Sequence, residues 1–182
     1  MKFCSYIPVN KQPMRKLLFL IPVIFIVTHG DAQTYISLAP SISNTAGTLA
    51  DKSNIGLEFG RQWDVFSLGI VVGKTSFEKM HGRDTTTYLE LRPNLNVFQQ
   101  GKFTNTFTAG IGVIINAEES LMTELTSGIE YAYNDKVHFN IYFGQYYYSG
   151  RYSDSNATFF GVSVILYFSP NNSKPLITNG RQ

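Results

Sequence analysis

The sequence predicts an all-β fold, an eight-stranded antiparallel up-and-down transmembrane β-barrel. Two observations predict it: segments of period-two alternation recur along the chain, and the glycines inside them share the polar face, opposite Ile, Leu, Val and Phe. Glycine weakens a strand interior, so a one-sided set indicates a face without room for side chains, such as the inside of a small barrel. The apolar face must then point outward, into lipid. The nine glycines are Gly56, Gly60, Gly69, Gly73, Gly110, Gly112, Gly128, Gly144 and Gly161.

Eight alternating segments follow one another, each long enough for a tilted strand to cross a bilayer. In the second segment, Ile55, Leu57 and Phe59 alternate with Gly56 and Glu58. The others alternate in the same way, which predicts strands with two unlike faces. The predicted strands are 34–43, 53–63, 65–77, 85–97, 103–115, 120–133, 136–148 and 157–168.

The connections between these segments alternate in length. Tight turns are predicted at 64–65, 99–102 and 134–135, whereas the other connections are mostly longer and more polar. Outer-membrane barrels have short periplasmic turns and longer external loops, so both termini are expected on the periplasmic side.

The N-terminal residues have the pattern of a secretory signal. Arg15 and Lys16 precede an apolar run over 17–27, and small residues follow at 30–32. This run is shorter than the roughly 20 residues that a membrane-spanning helix needs. Either Met1 or Met14 could be the initiator. The predicted domains are 1–32, an N-terminal extension and signal peptide; 33–168, an outer-membrane barrel; and 169–182, a flexible periplasmic tail.

Composition excludes several classes of function. Cys4 is the only cysteine and lies in the predicted signal, so the mature chain has no disulfide, thiolate metal site or catalytic cysteine. The signal carries four of the 15 basic residues and one of the 13 acidic residues, which leaves a nearly neutral mature chain and no electrostatic case for nucleic acid. No phosphate-binding loop, metal-ligand spacing or nucleotide motif occurs, so no cofactor and no metal are expected.

A soluble eight-stranded barrel of lipocalin type, with the apolar face inside, is the main alternative fold. Alternation alone does not separate the two, because it shows two faces without showing which one is wet. A water-exposed exterior carries many Lys and Glu residues. Here no lysine lies mid-strand on the polar face, and the charges are few, which favours the membrane barrel. They are Glu58, Glu90, Arg92, Glu124 and Glu130.

A charged network is predicted inside the barrel. Arg92 lies mid-strand among inward carboxylates, and an unpaired buried charge is costly, so it is expected to pair with at least one of Glu58, Glu90 and Glu124. A buried network that holds the barrel together is the favoured interpretation.

Two further contacts are expected in the interior. Glu130 and His138 share the inward face on strands joined by a tight turn, which places them opposite each other or one diagonal step apart. The excess carboxylates are expected to need protons, water or hydroxyls such as those of Tyr88 and Tyr142. The predicted lumen network comprises Glu58, Glu90, Arg92, Glu124, Glu130 and His138.

Outward aromatic residues cluster near the strand ends, as expected for the aromatic girdles of a membrane barrel. Near the turn end these are Trp63, Phe66, Phe103, Tyr131, Tyr133 and Phe168, and near the loop end they are Tyr147 and Phe160.

The last strand, over 159–168, contains a glycine followed by alternating apolar residues and a final aromatic residue. In this it resembles the C-terminal assembly signal of the small outer-membrane β-barrel proteins of Gram-negative bacteria, of the OmpA-domain or OmpX type. The resemblance implies location in the outer membrane after export, contact with its lipid, and recognition by the barrel-insertion machinery. A further tail, 169–182, departs from the family pattern. The residues that match the assembly signal are Gly161, Val164, Leu166 and Phe168.

Three classes of function remain open. A structural or interaction-mediating barrel with a side-chain-plugged lumen, meeting extracellular or periplasmic proteins, is favoured. A narrow cation-selective channel would use the inward carboxylates. A lipid-modifying enzyme would need a catalytic group in an external loop, where His81 lies near Ser76, Glu78 and Asp84. Polar loops are rich in such residues, so no catalytic residue is assigned.

Overall fold

The computed structural model describes residues 32–44, 52–79, 82–115, 120–149, 156–168 and 177–178. The chain divides into two units, Met1–Ala32 and Gln33–Gln182, and the second contains the described strands. The predicted signal, most of the predicted tail and most residues of the longer connections lie outside these ranges.

Within the described residues, eight antiparallel strands form a closed barrel. Each strand pairs with the next along the chain, and the first pairs with the eighth to close the ring. This confirms the predicted fold class, all-β with an eight-stranded antiparallel up-and-down barrel. The barrel strands are β1 Gln33–Asn44, β2 Lys52–Trp63, β3 Phe66–Lys79, β4 Gly82–Gln100, β5 Phe103–Ile115, β6 Ser120–Ala132, β7 Val137–Ser149 and β8 Ala157–Tyr167; a short ninth strand, β9 Ile177–Thr178, pairs with β4 outside the ring.

Strand β4 is longer than the sequence predicts. The connection expected over 78–84 is mostly paired, because β3 and β4 continue as far as the pair Lys79 and Gly82. Three consecutive threonines over 85–87 favour strand there, since β-branched residues suit a pleated sheet. At its other end β4 bulges between Asn96 and Phe98 and then pairs in parallel with β9. A two-residue strand has too little alternation to be predicted.

The three short turns are stabilised locally. Asp64 has a φ of 47° and Gly101 a φ of 60°, a conformation that glycine tolerates well and aspartate better than most residues. In the third turn, the Asn134 side-chain oxygen accepts the backbone N–H groups of Lys136 and Val137, both at 2.9 Å. These turns reverse the chain within a few residues and so fix the register of their hairpins.

Two outward prolines interrupt the barrel ladder. Pro40 has no N–H to donate, and the pairing of β1 with β8 stops at Leu38 and resumes at Ser41 in the same register. Pro93 interrupts the pairing of β4 with β5 in the same way. The strands stay in register because the pairs on both sides are intact.

The apolar face of the strands points outward. On β7, the side chains of Ile141 and Phe143 are 56% and 62% exposed, whereas Tyr142 between them is 4% exposed. The same alternation runs along the other strands of the barrel. The barrel is therefore polar inside and apolar outside, the reverse of a soluble barrel.

The strand glycines lie on the inner wall where large side chains cross it. A Cβ at Gly161 would overlap the ring of Tyr142, and a Cβ at Gly60 would overlap the ring of Tyr35. Each tyrosine thus lies flat on the bare backbone of a neighbouring strand. This pairing explains why the glycines share one face.

Replacing Gly161 with alanine should lower the free energy of unfolding by about 1 to 3 kcal/mol, because the Tyr142 ring must leave its place in a filled interior. Urea unfolding in detergent micelles would measure the loss. Ser163→Ala, on the same face of β8, adds no bulk and should cost less. A Gly161→Ala protein as stable as the parent would contradict this packing.

Candidate functional site

The lumen is the candidate site, and its contents change along the barrel axis. At the loop end, the rings of Tyr146 and Phe159 stack with centroids 4.0 Å apart at an interplanar angle of 18°. Ile114 and Met122 are buried beside them. We call this cluster the apolar plug, because its members pack together in the loop half of the lumen. It comprises Ala39, Val71, Tyr88, Ile114, Met122, Tyr142, Tyr146, Ala157 and Phe159.

A charged cluster lies at mid-height. Arg92 binds Glu58 through Nη1 and Oε2 at 3.1 Å, and Glu124 through Nη2 and Oε1 at 2.8 Å. Glu58 also accepts a hydrogen bond from the Tyr35 hydroxyl at 2.6 Å, and Glu124 accepts one from the Thr126 hydroxyl at 2.5 Å. The guanidinium on β4 therefore links β2 and β6, neither of which is its neighbour in the barrel.

Of the three carboxylates expected near Arg92, Glu90 is the one that forms no ion pair with it among the described residues. Its side chain is 2% exposed, and its Oε1 has no hydrogen-bond partner among the described residues. This oxygen lies against the backbone of Gly110, where a Cβ would overlap it. The lumen is thus richer in acid than in base over the described residues, with four glutamates facing Arg92 and His138.

The partner of one suggested hydroxyl, that of Tyr142, is not a carboxylate among the described residues. Tyr142 does not bind a carboxylate but donates to the backbone carbonyl of Pro40 at 3.2 Å. The hydroxyl on Glu58 comes from Tyr35, which is not among the predicted network residues. A signal for Tyr35 was present, since it has inward parity and pairs across the sheet with Gly60, which leaves room for its ring.

Glu130 and His138 meet at the turn end. Glu130 pairs with Asn140 and Ala132 with His138 in the register of β6 and β7, so Glu130 and His138 are one diagonal step apart. The Nδ1 atom of His138 is hydrogen-bonded to Oε1 of Glu130. The imidazole also meets the ring of Tyr167 edge-on, with centroids 4.9 Å apart. Both side chains are buried, and their contacts are with other residues of the barrel. This is the arrangement of a structural pair.

A cavity of about 40 Å³ lies in the lumen between the charged cluster and the turn end. Arg92, Glu58, Glu130 and Asn140 are among its lining residues. It has room for about three water molecules, since one water needs roughly 10 to 15 Å³. Small-molecule sites are usually about 300 to 1,000 Å³, so this cavity suits water or protons rather than an organic substrate.

The girdle aromatics lie on the outer surface. Phe103, Tyr133, Tyr147, Phe160 and Phe168 are exposed, and Trp63, Phe66 and Tyr131 are partly exposed. At the turn end they form pairs, with Trp63 stacked on Phe66 at 6.1 Å and Phe103 tilted against Tyr131 at 5.1 Å.

The predicted assembly residues lie on and just after β8. Gly161 faces the lumen, whereas Val164, Leu166 and Phe168 face outward. The Phe168 N–H donates to the carbonyl of Thr34 at 3.0 Å, which ties the end of β8 to the start of β1. Recognition of these residues by insertion machinery stays a prediction.

The residues considered for catalysis are not described. His81 lies outside the described residues, and the side chains of Ser76, Glu78 and Asp84 are not described either. The described ranges contain no group of three or more His, Cys, Asp or Glu side chains placed to hold a metal ion. No helix in those ranges is both long and apolar enough to cross a membrane.

Replacing Arg92 with methionine should destabilise the barrel by about 3 to 5 kcal/mol, because Glu58 and Glu124 would be left as uncompensated buried charges. Urea unfolding monitored by circular dichroism would measure this. Glu90→Gln is the matched control, since it removes a carboxylate that Arg92 does not bind and should leave stability equal or higher. Equal losses in both variants would contradict the assigned pairs.

Comparisons with known proteins support the fold. No protein-family model matches the chain, and no curated protein matches it in sequence. Among solved structures, the crystal structure of Neisserial surface protein A is similar, with a TM-score of 0.57 and 8% identity, over 76% of this chain and 98% of that chain. A de novo designed protein, TMB2.3, solved by NMR, gives a TM-score of 0.49 and 11% identity, over 77% and 98%. At this identity, the similarity to the Neisserial protein shows the closed eight-stranded barrel fold alone.

Proposed function

We propose that this protein is an outer-membrane β-barrel of a Gram-negative bacterium, exported by its signal peptide. It acts as a structural or interaction-mediating protein whose lumen is closed by its own side chains. The observation that carries this proposal is the direction of the two strand faces, apolar outside and polar inside. A soluble monomer rarely exposes so large a continuous apolar surface to water. In a membrane, lipid covers that surface.

The height of the apolar surface supports a bilayer. On β8 the outward apolar side chains run from Phe160 to Phe168, the residue just after the strand. At about 3.3 Å per residue and a tilt of about 40°, this stretch is about 20 Å tall, close to the 25 Å apolar band of known membrane barrels. The girdle aromatics lie at the two ends of this stretch.

The structural neighbour adds support for the compartment. Neisserial surface protein A is an outer-membrane barrel with the same strand number. Its fold is the shared property, and the compartment is proposed here by analogy.

The filled lumen favours a structural or interaction role. The apolar plug occupies the loop end, and the Arg92 ion pairs cross the middle. A channel has one observation in its favour, the excess of inward carboxylates, which would attract cations. The interior of eight strands is just filled by side chains, so conduction would require the plug to move. Contacts with other proteins would then fall to the external loops and the periplasmic face.

Membrane placement is tested by adding a charge to the outer face. Ile141→Arg should destabilise the barrel in lipid vesicles by about 2 to 4 kcal/mol, since Ile141 is at mid-height. Gln145→Arg, on the same face of the same strand but closer to the loop end, should cost only about 0 to 1 kcal/mol. Urea titrations with folding read from gel mobility would compare them. Equal small effects at both positions would count against a bilayer around this face.

The closed lumen is tested by single-channel recording. The parent protein should give no conductance steps in planar bilayers, because the apolar plug, with the stacked rings of Tyr146 and Phe159, and the Arg92 ion pairs lie inside the lumen. A Tyr146→Ala/Phe159→Ala double variant should give small cation-selective steps if it folds, and Tyr131→Ala/Phe103→Ala, on the outer surface, should give none. Regular steps from the parent would favour the channel instead.

A further inference from the structure

Strand β4 extends past its neighbour β3 at the turn end of the barrel. The pairing of β3 with β4 ends at Phe66 and Leu95, and the Asn96 N–H then donates to the carbonyl of Val65 in the turn between β2 and β3, at 2.8 Å. Beyond this point β4 continues to Gln100 and still pairs with β5. In the described part of the chain, the last residues of β4 therefore have one edge that no strand of the ring covers.

The short strand β9 lies on this edge. Ile177 pairs with Phe98 and Thr178 pairs with Gln99, in the parallel direction. Since β5 pairs with the same two residues of β4, this part of β4 lies between β5 and β9. An uncovered strand edge presents unpaired N–H and C=O groups and is a template for pairing with another chain. The tail thus provides partners for a part of β4 that the ring leaves open.

The sequence of the tail is suited to a short strand at this place. Ile177 and Thr178 are β-branched, which favours strand. Pro175 precedes them and Asn179 and Gly180 follow, and these residue types interrupt strands or form turns. A strand of two residues makes few hydrogen bonds, so its contact with β4 is expected to be reversible.

We propose that the turn-end edge of β4, over residues 97–100, is a strand-docking surface and that the C-terminal tail of the same chain is its occupant. The tail binds by strand addition, in which main-chain hydrogen bonds give the affinity. While β9 is docked, it keeps this edge from pairing with the same edge of a second copy. The inference goes beyond the proposed function and does not require the membrane placement, because both partners belong to one chain and pair through their backbones.

Disulfide trapping tests the contact in the full mature chain, which contains no cysteine after the predicted signal. Gln99→Cys with Thr178→Cys puts two thiols on directly paired residues. Paired strands lie about 4.8 Å apart, within the range of Cα separations that a disulfide bridges. The chain is folded in detergent micelles and treated with oxidised glutathione, and the internal disulfide is read from gel mobility. Asp135→Cys with Thr178→Cys is the matched control, because Asp135 is exposed in another short turn.

The Gln99 and Thr178 pair should close about tenfold faster than the control pair, because both use the same tail and only docking raises the effective concentration of its thiol beside β4. Adding Ile177→Pro should reduce the rate to that of the control, since proline lacks an N–H and fixes φ near −65°. Adding Ile177→Val should retain the faster rate, because valine is also β-branched.

Covering of the edge has a separate readout. Gln99→Cys as the single cysteine should give few disulfide-linked dimers while the tail is docked. Adding Ile177→Pro should increase their yield severalfold, because the open edge of β4 is then free to pair with that of a second copy. Ile177→Val should leave the yield low.

Each outcome supports or overturns the docking of the tail. Fast internal closure that Ile177→Pro abolishes and Ile177→Val retains would support it. Equal closure rates for the two cysteine pairs, or no effect of Ile177→Pro on closure, would overturn it. A disulfide formed mainly between two copies by the Gln99 and Thr178 pair would overturn the assignment to the same chain, and equal dimer yields from Gln99→Cys with and without Ile177→Pro would overturn the covering of the edge. The membrane placement is tested separately by Ile141→Arg.

Discussion

The narrow interior of an eight-stranded barrel is the constraint on which the rest of this structure depends. Such a lumen is just filled by side chains, so a large residue on one strand needs bare backbone on the next, as in other small barrels. Tyr35 lies over Gly60, and Tyr142 lies over Gly161. The glycines therefore create the space in which the inward side chains can reach one another.

The same crowding gives the charged cluster its role. Arg92 contacts Glu58 and Glu124 on strands that are not its neighbours, so the guanidinium joins three strands across the lumen. Buried ion pairs add little net stability compared with apolar packing, but breaking them is costly. A one-residue slip of any of these strands would turn its charged residue toward the outer face. The cluster thus penalises incorrect registers.

Because the lumen is filled, little space remains inside the barrel for a ligand. The apolar plug and the charged cluster leave a cavity of about 40 Å³, suited to a few waters. The larger chemical contrasts are outside, where an apolar surface ends in paired aromatics and in Arg61 and Lys102. Interactions with lipid and with protein partners therefore offer more scope for function than the interior does.

The sequence by itself determined the strands, their two faces and the identity of the inner one. Alternation is a local property that assigns Gly161 or Arg92 to one of two faces, and the glycines and few charges of the polar face identify it as the inner one. Only the tertiary structure decided which inward groups meet: that Tyr35 binds Glu58, that Tyr142 does not bind a carboxylate, and that β4 extends to pair with β9. These contacts depend on the stagger and circular order of strands far apart in the chain, which no local pattern records.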